Sequence, residues 1–163
     1  MSDSSVEQQK YRVVAVGGTF DHFHKGHKHL LTKAFSLGGK VIIGVTSDEF
    51  CKNKPWSEGL QTYQVREKTV LKFIKTSFKK ADFEVIMLND KYGPAVSENN
   101  IDALVVTEQT LKTAMEINQI RINKGLKPLE IVIVDMILAY DKTPISSTRI
   151  RRGEINVDGE PVN

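Results

Sequence analysis

The chain has 163 residues, 40% of them hydrophobic, which is the size of one domain around one sizeable core. With 23 basic residues against 20 acidic ones the formal net charge is only +3; that argues against a nucleic-acid-coating surface and suits a pocket for phosphates. The single cysteine, Cys51, excludes an internal disulfide and a Cys-rich zinc site, and no apolar run approaches the ~20 residues of a membrane span, so a soluble cytoplasmic chain is expected.

Residues 1–10 (MSDSSVEQQK) offer almost nothing to bury and lack the charged-then-apolar order of a secretory signal, so they read as a flexible tail ahead of one domain over 11–163. The β-branched run that follows predicts a strand over 11–16, and helical period returns over 25–37. A second strand is expected over 40–46. An irregular loop, 50–62, is the longest without periodicity and a candidate lid over substrate. Further helices are expected over 63–78, near 94–99 and over 111–123, with strands over 83–88, 103–107 and 130–136. The alternation, and the unbroken apolar runs VVAV, VIIGV, ALVV and IVIV, predict an α/β fold with five buried strands. These form a doubly wound, Rossmann-like parallel sheet covered by helices on both faces. Ligands of such sheets bind beyond the carboxyl ends of the strands, where the strand order reverses.

Directly after the first strand stands GGTFDHFHKGH. Gly17 and Gly18 let the backbone turn sharply and approach a ligand, and the free amides of a helix starting near Lys25 favour an anion. All four histidines, His22, His24, His27 and His29, fall within eight residues. Against a metal reading, no Asp, Glu or Cys nearby completes a persuasive ligand set. Neutral or protonated imidazoles donating to phosphate oxygens explain the same spacing. In Gly17, Thr19, Phe20, His24, Gly26 and His27 the string resembles the GxFDxxHxGH signature of the HxGH nucleotidylyltransferase superfamily. By that resemblance Thr19 contacts the substrate phosphate, His27 stabilises the transition state, and His24 is the first histidine of the motif. His22 and His29 have no counterpart in it.

After the fifth expected strand the chain reads TPISSTRIRRGE. Pro144 followed by Ser146, Ser147 and Thr148 signals a helix start, and Arg149, Arg151 and Arg152 add guanidinium groups to a second anion site. Ile145, Ser146, Ser147, Thr148 and Arg151 resemble the family's ISSTxxR motif, which in relatives grips the nucleotide's triphosphate. Arg149 and Arg152 lie outside it.

Between the motifs, Lys52, Lys54, Tyr63 and Arg66 surround the loop after the second strand. A solvated charged loop is the plain reading; the family uses a lysine here to neutralise phosphates, and Lys54, by its position before Pro55, is expected to supply it, with Lys52 the alternative. The segment from Val105 to Ile131 resembles the archaeal and eukaryotic branch of the phosphopantetheine adenylyltransferases. It implies Thr107 and Glu108 near the nucleotide, with Asn118 and Arg121 on the following helix either functional or ordinary surface. Cytidylyltransferases share GTFD and HxGH but carry RTxGISTT at the closing motif, and no Arg-Thr precedes Ile145 here.

The resemblance, spanning about residues 11–153, implies transfer of the adenylyl group of ATP to 4'-phosphopantetheine, with Mg²⁺ accompanying ATP, in a monomer or dimer. Transfer from CTP, transfer to nicotinamide or flavin mononucleotide, and a non-catalytic nucleotide-binding module are the alternatives. An acceptor phosphate is already an anionic nucleophile, so the site needs positioning and charge stabilisation rather than a general base.

Overall fold

A computed structural model describes residues 9–162; most of the expected tail, residues 1–8, lies outside the described residues. Five strands, β1 (Tyr11–Gly18), β2 (Gly38–Thr46), β3 (Asp82–Leu88), β4 (Ala103–Val106) and β5 (Glu130–Ile133), form one sheet in the order β3-β2-β1-β4-β5. Every neighbouring pair is parallel. The helices are α1 (Lys25–Leu37), α2 (Asp48–Cys51), α3 (Tyr63–Ser77), α4 (Leu111–Asn123) and α5 (Ser147–Arg151), with a 3-10 turn over Gly93–Val96. Among the described residues no helix is long and apolar enough to cross a membrane.

The period of two along the strands divides the core between the faces. Val14 and Val16 of β1 join Val41, Ile43 and Val45 of β2 in packing with Leu31 and Ala34 of α1 and Val70 and Ile74 of α3. Val13, Ala15 and Ile42 pack instead with Ala95 of the 3-10 turn and Ala114 and Ile117 of α4. The expected burial holds only for the three central strands. The edge strands β3 and β5 alternate or are half-exposed, and Ile133 is 54% exposed, because helices cover an edge strand on fewer sides.

Two glycine assignments change. Gly17 and Gly18 do not turn; they continue β1, opposite Gly44 and Val45 of β2. The turn falls later, at Phe20 and His22, which take φ of 55° and 46°. The tight position is their neighbour Gly44, where a Cβ would lie 2.7 Å from the Leu88 side chain and displace it.

Asn118 and Arg121 also find their places, away from the carboxyl ends of the strands. Asn118 holds the α4–β5 connection by accepting from Leu129 N (2.7 Å) and donating to Leu129 O (2.8 Å). Arg121, 2% exposed, donates to the carbonyls of Lys127, Ala95 and Glu98, each at 2.8 Å. The guanidinium fork thus satisfies carbonyls that a turn would otherwise leave unpaired.

Candidate active site

The strand order reverses between β1 and β4, and a cavity of about 350 Å³ opens beyond their carboxyl ends. The β1–α1 segment lines one side of it, and Ile145 to Thr148 with Arg151 line another, together with Thr107, Gln109, Thr110 and Asp135. A second, more apolar cavity of about 450 Å³ shares Gly17, Gly18, Thr19 and Trp56 with the first and runs between β2, β3 and α4, with Lys91 and Tyr92 on its wall. The two expected anion motifs therefore face one crevice.

At the start of α1 the two signature histidines cap the helix reciprocally. His24 is the N-cap: its Nδ1 accepts from Gly26 N at 3.1 Å, while His27 Nδ1 accepts from His24 N at 3.1 Å. Lys25 N donates to Val157 O at 2.9 Å. The helix start is therefore not a bare amide site, as the sequence suggested, because those amides are already satisfied. The rings replace them. Each Nδ1 accepts a proton-bearing nitrogen, so each neutral ring carries its own hydrogen on Nε2 and becomes the donor to the cavity. The rings stack with centroids 3.7 Å apart, and a Cβ on Gly26 would come within 3.0 Å of the His24 ring, which explains the small residue between them.

Burial keeps both rings neutral. It lowers the His24 pKa to about 4, against a weaker upward pull from Asp21. Burial also holds His27 well below the usual histidine range, and the neighbouring His24 adds to the depression. The site thus presents Nε2–H dipoles rather than imidazolium charges near pH 7.

Asp21 ties the two motifs together. It is 1% exposed; its carboxylate pairs with Arg151 Nη1 and accepts from Gln61 N at 2.8 Å, and its carbonyl accepts from Ser147 Oγ at 2.6 Å. Arg151 Nη2 reaches Trp56 O at 3.0 Å and Thr148 Oγ1 at 3.2 Å. Ser146 caps α5 through Arg149 N, and Ile145 is buried with Ala139 and Ile155 beneath the turn. Ser147 and Thr148 line the cavity at the first turn of α5, where a helix offers its amides no partner of its own. Arg149, outside the motif, pairs with Asp141 (2.6 Å) and Glu154 (3.0 Å).

Thr19 lines both cavities, and its Oγ1 accepts from Thr46 Oγ1 at 3.0 Å. Arg66, fully buried, donates to Thr19 O (2.9 Å), Thr46 O (2.8 Å) and Gln61 O (2.9 Å) and pairs with Asp48 at 2.9 Å. It fixes the ends of β1 and β2 rather than a ligand. Neither loop lysine lines either cavity: Lys52 pairs with Glu49 at 3.1 Å in solvent, and the Lys54 Nζ lies 4.6 Å from the Phe50 ring centroid. The lysine on a cavity wall is Lys91, paired with Glu116 at 3.0 Å. Glu108 is exposed, whereas its neighbours Gln109 and Thr110 face the crevice. Phe20, 1% exposed, packs 5.2 Å from the His27 ring. Counting back from the histidines, the leading glycine of the signature falls on Gly18, not Gly17.

The cytidylyltransferase-like family profile matches residues 15–153. The chain is 49% identical over 152 residues to a phosphopantetheine adenylyltransferase of Methanothermobacter thermautotrophicus, covering 93% of this chain and 90% of that protein. It is 45% identical over 156 residues to one of Thermococcus kodakarensis, covering 96% and 94%. A solved protein of unknown function from Archaeoglobus fulgidus superposes with a TM-score of 0.69 at 30% identity, covering 82% of this chain and 98% of that one. With both signature motifs on one cavity and this similarity across nearly the whole length, the chain belongs to the cytidylyltransferase-like family and, within it, to the phosphopantetheine adenylyltransferases.

Proposed function

We propose that the chain transfers the adenylyl group of ATP to 4'-phosphopantetheine, giving dephospho-coenzyme A and pyrophosphate, a step of coenzyme A biosynthesis. The observation that carries the reading is the pair of adjoining cavities meeting at Thr19, one walled by the histidines and the Ser147–Thr148 amides, the other apolar. The first suits a nucleotide and its phosphates. The second suits the uncharged arm of the acceptor, with the phosphate at the junction.

A phosphate oxygen of the acceptor forms a bond to the α-phosphorus of ATP, and the bond to the bridging oxygen breaks as pyrophosphate leaves. Negative charge gathers on the equatorial oxygens, to which the His27 Nε2–H donates, while the Thr19 hydroxyl donates to the acceptor phosphate. His24, Gly26 and Phe20 support the His27 ring, and the Ser147 and Thr148 amides receive the outer phosphates. Mg²⁺ bound to the nucleotide would neutralise phosphate charge. Among the described residues no cluster of carboxylates, histidines or cysteines could hold the ion by itself; ATP would bring it, and of the carboxylates lining the cavity Asp21 is engaged by Arg151, which leaves Asp135 as the one that could approach it.

The test is pyrophosphate release with ATP or CTP against 4'-phosphopantetheine, nicotinamide mononucleotide and flavin mononucleotide. ATP with 4'-phosphopantetheine should be turned over at least about tenfold faster than any other pair, the order set by lost contacts in a shaped pocket. A preference for CTP, or no release with any pair, overturns the reading.

A further inference from the structure

The second strand ends in a hydrogen-bonded chain that leads from the interior to the junction of the cavities. Cys51, 0% exposed, places its Sγ 3.2 Å from Thr46 Oγ1, and Thr46, 7% exposed, places that oxygen 3.0 Å from Thr19 Oγ1. Thr19 lines both cavities, Thr46 borders the second alone, and Cys51 lines neither. We propose that Thr46 and Cys51 are positioning residues that aim the Thr19 hydroxyl hydrogen at the acceptor phosphate, by a relay running from the Cys51 S–H through Thr46 to Thr19; this rests on the adenylyl-transfer reading above.

A hydroxyl has one hydrogen to give. Thr46 spends its own on Thr19, so its contact with Cys51 must be received, which makes the thiol the donor. The Thr19 oxygen is then occupied as an acceptor, and its hydrogen is free to point outward. Run the other way, the relay would turn that hydrogen inward and present a lone pair to an anion. A phosphate at the junction therefore selects the outward direction, and each bond polarises the next. The frame is held by Arg66, whose Nη1 grips the carbonyls of Thr19 and Thr46 and lies 3.5 Å from Thr46 Oγ1. Both oxygens thus keep their spacing when substrate leaves.

The chain holds one cysteine, so its S–H stretching band in the infrared reports this thiol alone. In the wild type the band should lie at the lower frequency of a hydrogen-bond donor, move further down when S-methyl phosphopantetheine, which brings no thiol of its own, is added, and return to the free-thiol position in Thr46→Val. In kinetics, Thr46→Val should lose about tenfold in kcat, the size of one uncharged hydrogen bond, with KM for ATP within about twofold. Thr46→Ser should restore the rate. In a Thr19→Val background, Thr46→Val should cost nothing further, because the hydroxyl it aims is gone. An S–H band that ignores Thr46→Val, or an equal rate loss in both backgrounds, overturns the relay. If the wild type does not use ATP and phosphopantetheine, the functional reading fails while the response of the band to Thr46→Val still decides the relay.

Discussion

Acidification should destabilise this fold through the same burial that prepares its site. His24 titrates at about 4 in the folded chain against 6.5 when exposed. Between those values the unfolded chain binds a proton that the folded chain refuses, so stability is complete above about pH 6.5 and falls as the pH drops towards 4. At pH 5 the loss from His24 alone is ~2 kcal/mol, rising to ~3 kcal/mol at pH 4. His27 is shifted in the same direction and adds to it. Asp141, held at about 2 by Arg149, titrates below this window and leaves it clear. For a chain of this length ~2 kcal/mol lowers Tm by roughly 4–8 °C. The assay is thermal unfolding by circular dichroism between pH 7.5 and 5, for the wild type and His24→Asn. Asparagine can cap the helix with its side-chain oxygen but has no proton to take up. The variant should lose ~2 kcal/mol less than the wild type on going to pH 5. Parallel curves for the two proteins would mean that the His24 ring is solvated, and the neutral-donor account of the site would fall with it.

His27→Ala should lower kcat by about 10²–10³, as for loss of one preorganised oxyanion donor, and change KM for ATP far less; steady-state pyrophosphate release measures both. His29→Ala, at a residue lining neither cavity, should stay within about twofold of the wild type, a change too small to represent a transition-state contact. Asp21→Ala should cost ~3–5 kcal/mol in urea unfolding, because it strands a largely buried guanidinium, and Arg151→Leu added to it should recover part of that loss. Lys52→Ala should leave kcat and KM within about twofold of the wild type, since Lys52 lines neither cavity; a loss of about tenfold in kcat/KM would return the reacting phosphates to the loop lysine.

The regular part of the fold was legible because it is written in local periodicity. The β-branched runs gave each strand to within a few residues, and both motif strings fell beyond strand ends as the doubly wound arrangement demands. What stayed hidden depends on partners distant in sequence. Asp21 stands in plain view within GTFD, yet its partner Arg151 is 130 residues away, and no spacing rule joins them. Arg66 sits in an amphipathic helix where an arginine reads as surface, and only the meeting of β1, β2 and α2 over it shows a buried clamp. Nothing local says which side chains of the loop turn inward: Phe50 and Trp56 line the cavities, while Lys52 and Lys54 between them line neither. Two glycines in a row suggest a turn because glycine permits one, but Gly17 and Gly18 pair with Gly44 and Val45 of β2, a pairing that local composition does not show.

The Asp21–Arg151 link changes how the closing motif is understood. A helix of five residues such as α5 does not form on its own, since nucleation costs more than so short a ladder returns. It is held by tertiary ties: Asp21 to Arg151 and to Ser147, and Ile145 within its small apolar cluster with Ala139 and Ile155. Arg151 therefore commits part of its fork to the protein, in an orientation that Asp21 sets. The same carboxylate lies three residues before His24, the cap of α1. The donors at α1 and the amides at α5 are thus fixed relative to each other before any ligand arrives. In-line transfer depends on that prior alignment, because a site with no general base has only the placement of its donors with which to lower the barrier.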